Sequence, residues 1–419
     1  MPKLTPGAPR SVPRVDVAAR REAEPERWLT PGVRGIGTAS LLSDLGHEVP
    51  TALLPSFLTS TLSAPASALG LIEGVSDALA GAAKLAGGAL ADDPRRRRAV
   101  AVGGYTTTAV LSGLIGVATS AWQVGVLRAG AWTARGLRGP SRNALLADVV
   151  PASAYGRAYG FERAMDNLGA IGGPLLALGL VELVGVRTAI LLSTIPGLLA
   201  VVAIVYAIRR IAVSSEREHR PFRLHVRPVL RGRLGRLMIG ISVFELGNVA
   251  ATLLILRAAD LLEPGRGVDD AAQVAIALYV VYNLAATIAS VPAGRLGDRR
   301  GMVRVLALGV AAFALAYAGF AAAGASIPVL AAAFALAGVG IGCAETAEHA
   351  AVATLAPEGV RGSAFGLLAA VQSVGNLVAS SVVGVLYTVA SPAAAFAFAG
   401  GLMVIALVAL AALRAAVSP

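Results

Sequence analysis

Lysine is almost missing from this 419-residue chain: Lys3 and Lys84 stand alone, and arginine carries nearly all of the positive charge. No Gly-x-x-x-x-Gly-Lys phrase occurs, which excludes an ATP-driven pump of the P-loop kind. Cysteine is scarcer still. Cys343 lies by itself inside an apolar run, so no intrachain disulfide and no cysteine-based metal site can form. Histidine occurs only at 47, 219, 225 and 349, too thinly spread for a His-rich site. No Ser/His/Asp arrangement points to nucleophilic catalysis, so the chain does not read as an enzyme. No cofactor is implied.

Apolar residues make up the difference, at 56% of the chain with a mean hydropathy of +0.71. Runs of about 20 such residues recur, the length at which a helix spans a hydrocarbon core. A bilayer offers backbone groups no water, so each run is expected to be helical. The residues do not alternate as barrel strands do. Twelve spans are predicted, at 36–60, 67–91, 99–119, 121–149, 157–183, 186–209, 236–262, 269–296, 302–322, 327–355, 363–389 and 393–415. Small residues, including 48 glycines, let such helices approach closely.

Arginine crowds every second loop: Arg95 to Arg98 after span 2, Arg209 to Arg233 after span 6, and Arg299, Arg300 and Arg304 after span 8. Loop 7–8 shows Glu263, Arg266, Asp269 and Asp270 instead. This asymmetry predicts a multi-pass protein of the cell (inner) membrane with both termini cytoplasmic. It also accounts for the net charge of +11 without a nucleic-acid partner. Residues 1–35 read as a cytoplasmic tail, because they contain no apolar signal core. Residues 36–209 read as one six-helix bundle, 210–235 as a cytoplasmic linker, and 236–419 as a second bundle.

One phrase occurs twice, 206 residues apart. Gly88-Ala-Leu90-Ala-Asp92, with Arg96 and Arg97 behind it, returns as Gly294-Arg-Leu296-Gly-Asp298-Arg299, followed by Gly301. Pro151 maps to Pro357, Gly156 to Gly362, Gly160 to Gly366 and Gly169 to Gly375 at the same offset. A constant offset across several segments indicates a duplicated unit. In each copy the glycine permits close packing. The aspartate can meet arginines or the N-terminus of a neighbouring helix. These residues form a candidate conformational latch.

Twelve spans, a six-plus-six duplication and these loop phrases resemble the major facilitator superfamily from about Gly35 to Arg414. The resemblance implies an all-α membrane fold of two pseudo-symmetric six-helix bundles. It also implies secondary transport by alternating access, with spans 1, 4, 7 and 10 around the cavity. The family's loop phrase runs Gly-x-x-x-Asp-Arg-x-Gly-Arg-Arg. The first copy has Asp93 and Arg95 where Arg and Gly are usual, and the second departs at Met302 and Val303. Span 4 carries Arg128 and Gly136 of a phrase seen in proton-driven members, with Trp132 where Gly is common. Span 5 carries Gly169, Gly173 and Pro174 of the antiporter phrase, with Ala177 in place of its last Gly. The stretch from Arg135 to Asn143 resembles a prokaryotic subgroup.

Ionisable groups inside a bilayer are expensive and default to function. Asp44, His47 and Glu48 share one face of span 1. Span 4 supplies Arg128, Arg135, Arg138 and Arg142, and span 10 supplies Glu345, Glu348 and His349. Helical rise is expected to set Glu48 at the depth of Arg128 and Asp44 near Arg135. Carboxylate–arginine pairs there would couple proton entry to a conformational switch, or serve as permanent structural pairs. Opposite charges at pseudo-equivalent sites predict a gate pair between Arg142 and Glu348. Arg163 and Asp166 are expected to pair locally, and Lys84 to snorkel. Glu73 and Asp77 share a face of span 2, and Glu245, Asn248, Tyr279, Tyr282 and Asn283 are further candidate cavity liners.

These features favour proton-coupled efflux of a small organic solute by a monomer in the lipid bilayer, with an anionic or zwitterionic cargo weakly indicated by the span-4 arginines. An uptake symporter of the same fold is the nearest alternative. A divalent-metal exporter, or a transport-inactive sensor or scaffold, ranks lower. The arginines beside the Asp/His/Glu faces repel cations, so no metal site is expected.

Overall fold

The computed structural model describes residues 28–210 and 222–415. Most of the N-terminal tail, and Arg217, His219 and Arg220 of the linker, lie outside the described residues. Among the described residues, helices build twelve membrane-length spans. Spans 1 to 4 are Pro31–Ser56, Ala66–Ala91, Pro94–Leu114 and Ala121–Asp148. Spans 5 and 6 share the stretch Tyr155–Leu192 and continue in Thr194–Arg209. Span 7 is split into Gly232–Glu245 and Ala251–Arg266. Spans 8 to 12 are Val268–Arg300, Met302–Ala322, Ile327–Leu355, Arg361–Val389 and Pro392–Ala415. By length and composition alone, seven described helical segments are apolar enough to cross a membrane. Spans 1, 2, 4 and 7 are not among them. Spans 1, 2 and 4 carry several charged residues each, and span 7 is broken.

Local chemistry sets the helix ends. Thr30 caps span 1, accepting from the Val33 N–H at 3.2 Å, with Pro31 at the first helical position. Gly185 turns span 5 into span 6 at φ 75°, a backbone region that favours glycine. The two copies of the repeated phrase turn by different means. Asp93 caps span 3, accepting from the Arg95 N–H at 2.9 Å, with Pro94 behind it. Gly301, at φ 91°, makes the corresponding turn before span 9. The first copy, with Asp93 and Arg95 where the family phrase has Arg and Gly, therefore replaces by a side-chain cap the glycine turn that the second copy keeps at Gly301.

The halves meet mainly through span 5 against span 8 and span 2 against span 11. A Cβ on Gly88 would lie 2.8 Å from Gly362 O and Gly366 Cα. A Cβ on Gly294 would collide with the Gly156 carbonyl, and one on Gly160 with the Ser290 carbonyl. Toward the other end of the same spans, Gly70, Gly74, Gly81 and Gly384 have no neighbour within 4 Å of a Cβ position. Tyr159 and Phe365, equivalent by the offset, touch across the halves with ring centroids 5.8 Å apart, and His349 stacks on Phe365 at 6.1 Å. The bundles are thus sealed at the end that carries the repeated phrase and part toward the opposite end.

Candidate transport pathway

At the sealed end, each repeated aspartate terminates one helix and caps a helix of the opposite half. Asp298 accepts from the backbone N–H of Gly156 at 2.7 Å, from that of Arg157 at 3.1 Å, and from Arg157 Nε at 2.8 Å. Asp92 accepts from the Ser363 N–H at 2.9 Å and from its hydroxyl at 2.5 Å, and lies 3.2 Å from His225 Nδ1. Both contacts use the unpaired N–H groups and positive dipole end of a helix N-terminus. The arginines of the phrase do other work. Arg97 binds Asp148 at 2.5 Å and the Ala91 carbonyl at 2.7 Å. Arg96 lies 3.7 Å from Asp93, and Arg299 is exposed.

Further in, the N-terminal half holds a dense charged layer. Arg142 lies 2.9 Å from Glu162 and 3.2 Å from Asp166, and donates to Ser40. Arg163 lies 2.7 Å from Glu162 and 3.1 Å from Asp166, the local pairing expected of it. Arg163 also lies 3.6 Å from Glu345 of the other half. The expected gate pair between Arg142 and Glu348 is therefore not formed. Glu162 is fully buried and nearer, and it occupies Arg142 within its own half. Glu348 instead accepts from Gln372 at 2.8 Å. In this layer, Arg163 and Glu345 make an ion contact across the halves.

Asp44, His47 and Glu48 do share one face. His47 lies 3.4 Å from Asp44 and 3.3 Å from Glu48. Arg135 approaches Asp44 at 3.7 Å, the expected partner. The expected Glu48–Arg128 pair is absent. Arg128 sits about 20 residues, or ~30 Å, from the sealed end of span 4 and lies beyond Glu48. It binds Glu73 at 3.0 Å and Thr51 at 3.0 Å, and its guanidinium stacks 3.3 Å above Trp132. Trp132 in turn donates to Asp77 at 3.0 Å. Arg138 donates to Ser43 at 2.7 Å and lies over Tyr105. The span-5 glycines have a defined task. A Cβ on Gly169 would lie 2.8 Å from the Asp44 Cβ, and one on Gly173 would collide with Glu48. Span 5, kinkable at Pro174, therefore rides directly on the charged face of span 1.

Lys84 does not snorkel. Its ammonium donates to Ser373 of the opposite half at 2.6 Å. A second feature escaped the sequence pattern. Span 7 unwinds between Glu245 and Ala251, and side chains of neighbouring spans cap the exposed backbone. Val249 N–H donates to Tyr317 Oη at 3.0 Å, Ala250 N–H to Ser380 Oγ at 2.9 Å, and Asn376 reaches the Asn248 carbonyl at 3.1 Å. Asn248 bonds Glu245 at 2.9 Å. Non-helical backbone at membrane depth persists only inside protein or along a cavity, and discontinuous helices mark binding sites in transporters. The Gly247-Asn248 pair inside span 7 was the available signal.

The family model of the Major Facilitator Superfamily matches residues 36–262 and 267–419. The chain belongs to this superfamily. It is 27% identical over 392 residues to an uncharacterised MFS-type transporter of Methanocaldococcus jannaschii, covering 92% of this chain and 96% of that one. An uncharacterised Mycobacterium tuberculosis protein is 31% identical over 187 residues, 44% of this chain and 46% of its own. Among solved structures, a bacterial homologue of the iron transporter ferroportin in an outward-facing state aligns with a TM-score of 0.73 at 15% identity, over 92% of this chain and 99% of that one. The human organic anion transporter MFSD10 aligns with a TM-score of 0.70 at 16% identity, over 92% and 100%. At such identities the two structures share the fold. This superfamily member is a multi-pass membrane transporter built from two six-helix bundles.

Proposed function

We propose that the chain is a proton-coupled exporter of a small organic solute, acting as a monomer, with its sealed, arginine-rich end in the cytoplasm. The observation that carries this reading is the contact between span 1 and span 5. The antiporter-like Gly169, Gly173 and Pro174 lie against Asp44 and Glu48, while Arg135 reaches Asp44 from span 4. Protonation of Asp44 would release Arg135 and let Asp44 donate to Asp166 of span 5, re-seating span 5 on span 1, and span 5 also carries the Arg157–Asp298 latch. Proton entry and latch opening are thereby linked through one helix. With the sealed end in the cytoplasm, this arrangement would be an outward-facing state.

The test is pH-gradient-driven flux in proteoliposomes. Asp44→Asn and Glu48→Gln should abolish coupling while the protein still binds cargo. Unchanged gradient-driven flux in both variants would sink the reading. Reporter fusions at either terminus check the cytoplasmic placement, which predicts active cytoplasmic reporters at both.

A further inference from the structure

We propose that Glu245 of span 7 is a second proton-binding carboxyl, the C-terminal counterpart of Asp44, so that each half carries a proton through the transport cycle. The inference deepens the proton-coupled reading and rests on it. A short phrase ties the two sites together: Asp44-Leu45-Gly46-His47 in span 1 returns as Glu245-Leu246-Gly247-Asn248 in span 7. The packing repeats with it. A Cβ on Gly169 of span 5 would press on Asp44, and one on Gly375 of span 11, 206 positions later, would collide with Glu245. A Cβ on Gly46 would meet Ser193 and Gly197 of span 6. One on Gly247 would meet Ala399 and Met403 of span 12, again 206 positions on. The two segments are therefore wedged between equivalent pairs of helices, and both acids are buried.

The surroundings of the two acids differ in one respect. Asp44 has Arg135 at 3.7 Å and His47 at 3.4 Å. At the 206 offset, Arg135 corresponds to Ile341, Arg142 to Glu348 and Arg163 to Ala369, so the C-terminal half holds the acid without those arginines. Among the described residues Glu245 makes no ion pair, and its Oε2 accepts from Asn248 Nδ2 at 2.9 Å. A structural ion pair therefore does not explain an acid at this position. A buried carboxyl without a counter-charge carries a proton until water or a cation reaches it. The titratable groups that face Glu245 are Glu345 and Glu348 of span 10, Lys84 of span 2, and the phenols Tyr282 and Tyr317. Of these only Lys84 is a cation, and its ammonium is engaged by Ser373 at 2.6 Å. Glu245 also ends the first helical part of span 7, and Asn376 of span 11 donates to the Asn248 carbonyl beside it at 3.1 Å. Span 11 begins at the latch that Asp92 closes. The carboxyl is thus tied through Asn248 and span 11 to the Asp92 latch, as Asp44 is tied through span 5 to the Asp298 latch. With the latch closed the proton stays on Glu245; when the latch parts, water entering from the cytoplasm takes it.

Infrared difference spectra of the full chain in lipid nanodiscs test this without any cargo, because a protonated carboxylic acid has a carbonyl stretch that its carboxylate lacks. Titrated from about pH 5 to 10, the parent should lose an acid band that Glu245→Gln lacks from the start. Glu245→Asp should keep a titrating band at a shifted position, and it decides if the Gln variant fails to fold. Asn248→Ala should shift the same band, because the acid loses its amide donor. Glu345→Gln and Glu348→Gln should leave that titrating band in place. Identical titrations of the parent and Glu245→Gln would overturn the assignment. So would a Glu245 band that stays constant over the whole range, the mark of a permanently neutral packing residue. A silent Glu245 beside gradient-driven flux in the parent would strike this site alone. A titrating Glu245 in a chain without gradient-driven flux would keep the proton-binding carboxyl and sink the coupling reading.

Discussion

Asp298 grips Arg157 twice, through the backbone N–H at 3.1 Å and through Nε at 2.8 Å. The residues 206 positions away from each, Asp92 and Ser363, are bonded to each other in the same way at the backbone. The duplication is thus written into the contacts as well as the sequence. Each half offers one aspartate and receives one, so the seal is reciprocal and closes about a pseudo-twofold axis marked by Tyr159 and Phe365. Such a closure is bistable, because the helix N-termini are either capped across the halves or left to water.

Asp298→Asn keeps the shape but removes the charge that three donors share. Charge-assisted bonds of this kind are worth about 1.5–3 kcal/mol. We predict a shift of roughly tenfold or more toward the state open at the latch end. Spin-label distances between loop 2–3 and the start of span 11 measure it. Asp92→Asn should act in the same direction. The two effects should nearly add, because the sites share no partner.

Glycine at the cross-half contacts is a second requirement. A methyl group on Gly294 meets the Gly156 backbone, which has no side chain to move aside. Gly294→Ala is therefore expected to force the latch end apart and to lower transport several-fold. Gly103→Ala, with open space around its Cβ position, should change stability by no more than about 0.5 kcal/mol. Equal effects of the two substitutions on the spin-label distances would remove the packing argument.

Glu162 is fully buried and binds Arg142, Arg163 and Ser40. Glu162→Gln leaves the two arginines to share Asp166 in a low-dielectric interior. Breaking a buried pair from one side costs about 3–5 kcal/mol. We predict a large fall in thermal unfolding temperature in detergent, with poor expression as its cellular counterpart. A melting curve within two degrees of the parent would show that the layer is better hydrated than its burial implies.

Much of this was legible in the chain, for a physical reason. Membrane helices must satisfy their backbone internally, so apolar length reports them directly. The 206-residue offset placed Asp92 and Asp298 at equivalent sites before any contact was known. Pairing was harder to read. Sequence counts depth along one helix, which put Asp44 near Arg135 correctly. Rotation about the axis and competition among neighbours decide the rest. Arg142 went to Glu162 because span 5 lies against span 4 there, and Arg128 went to Glu73 because it sits further from the sealed end than expected. Lys84 looked like an interfacial lysine, yet its ammonium crosses to Ser373. The break in span 7 was hidden because its stabilising groups, Tyr317 and Ser380, come from spans 9 and 11.

That break makes the last prediction. The Val249 N–H is buried and donates to Tyr317 Oη, which is itself fully buried. Tyr317→Phe preserves the ring and its contacts with Phe313 and Phe396 but orphans the N–H. An unmet buried donor costs about 1–3 kcal/mol. The nearest relief is for Val249 to rejoin the helix, which would re-aim Glu245. Tyr317→Phe should therefore lower cargo affinity as well as thermal stability, although no part of Tyr317 is assigned to the cavity. Ser380→Ala, which removes the acceptor for Ala250 N–H, should do the same more weakly, because that group is less enclosed. Loss of stability in Tyr317→Phe with cargo affinity untouched would show that the unwound segment serves only to bend span 7.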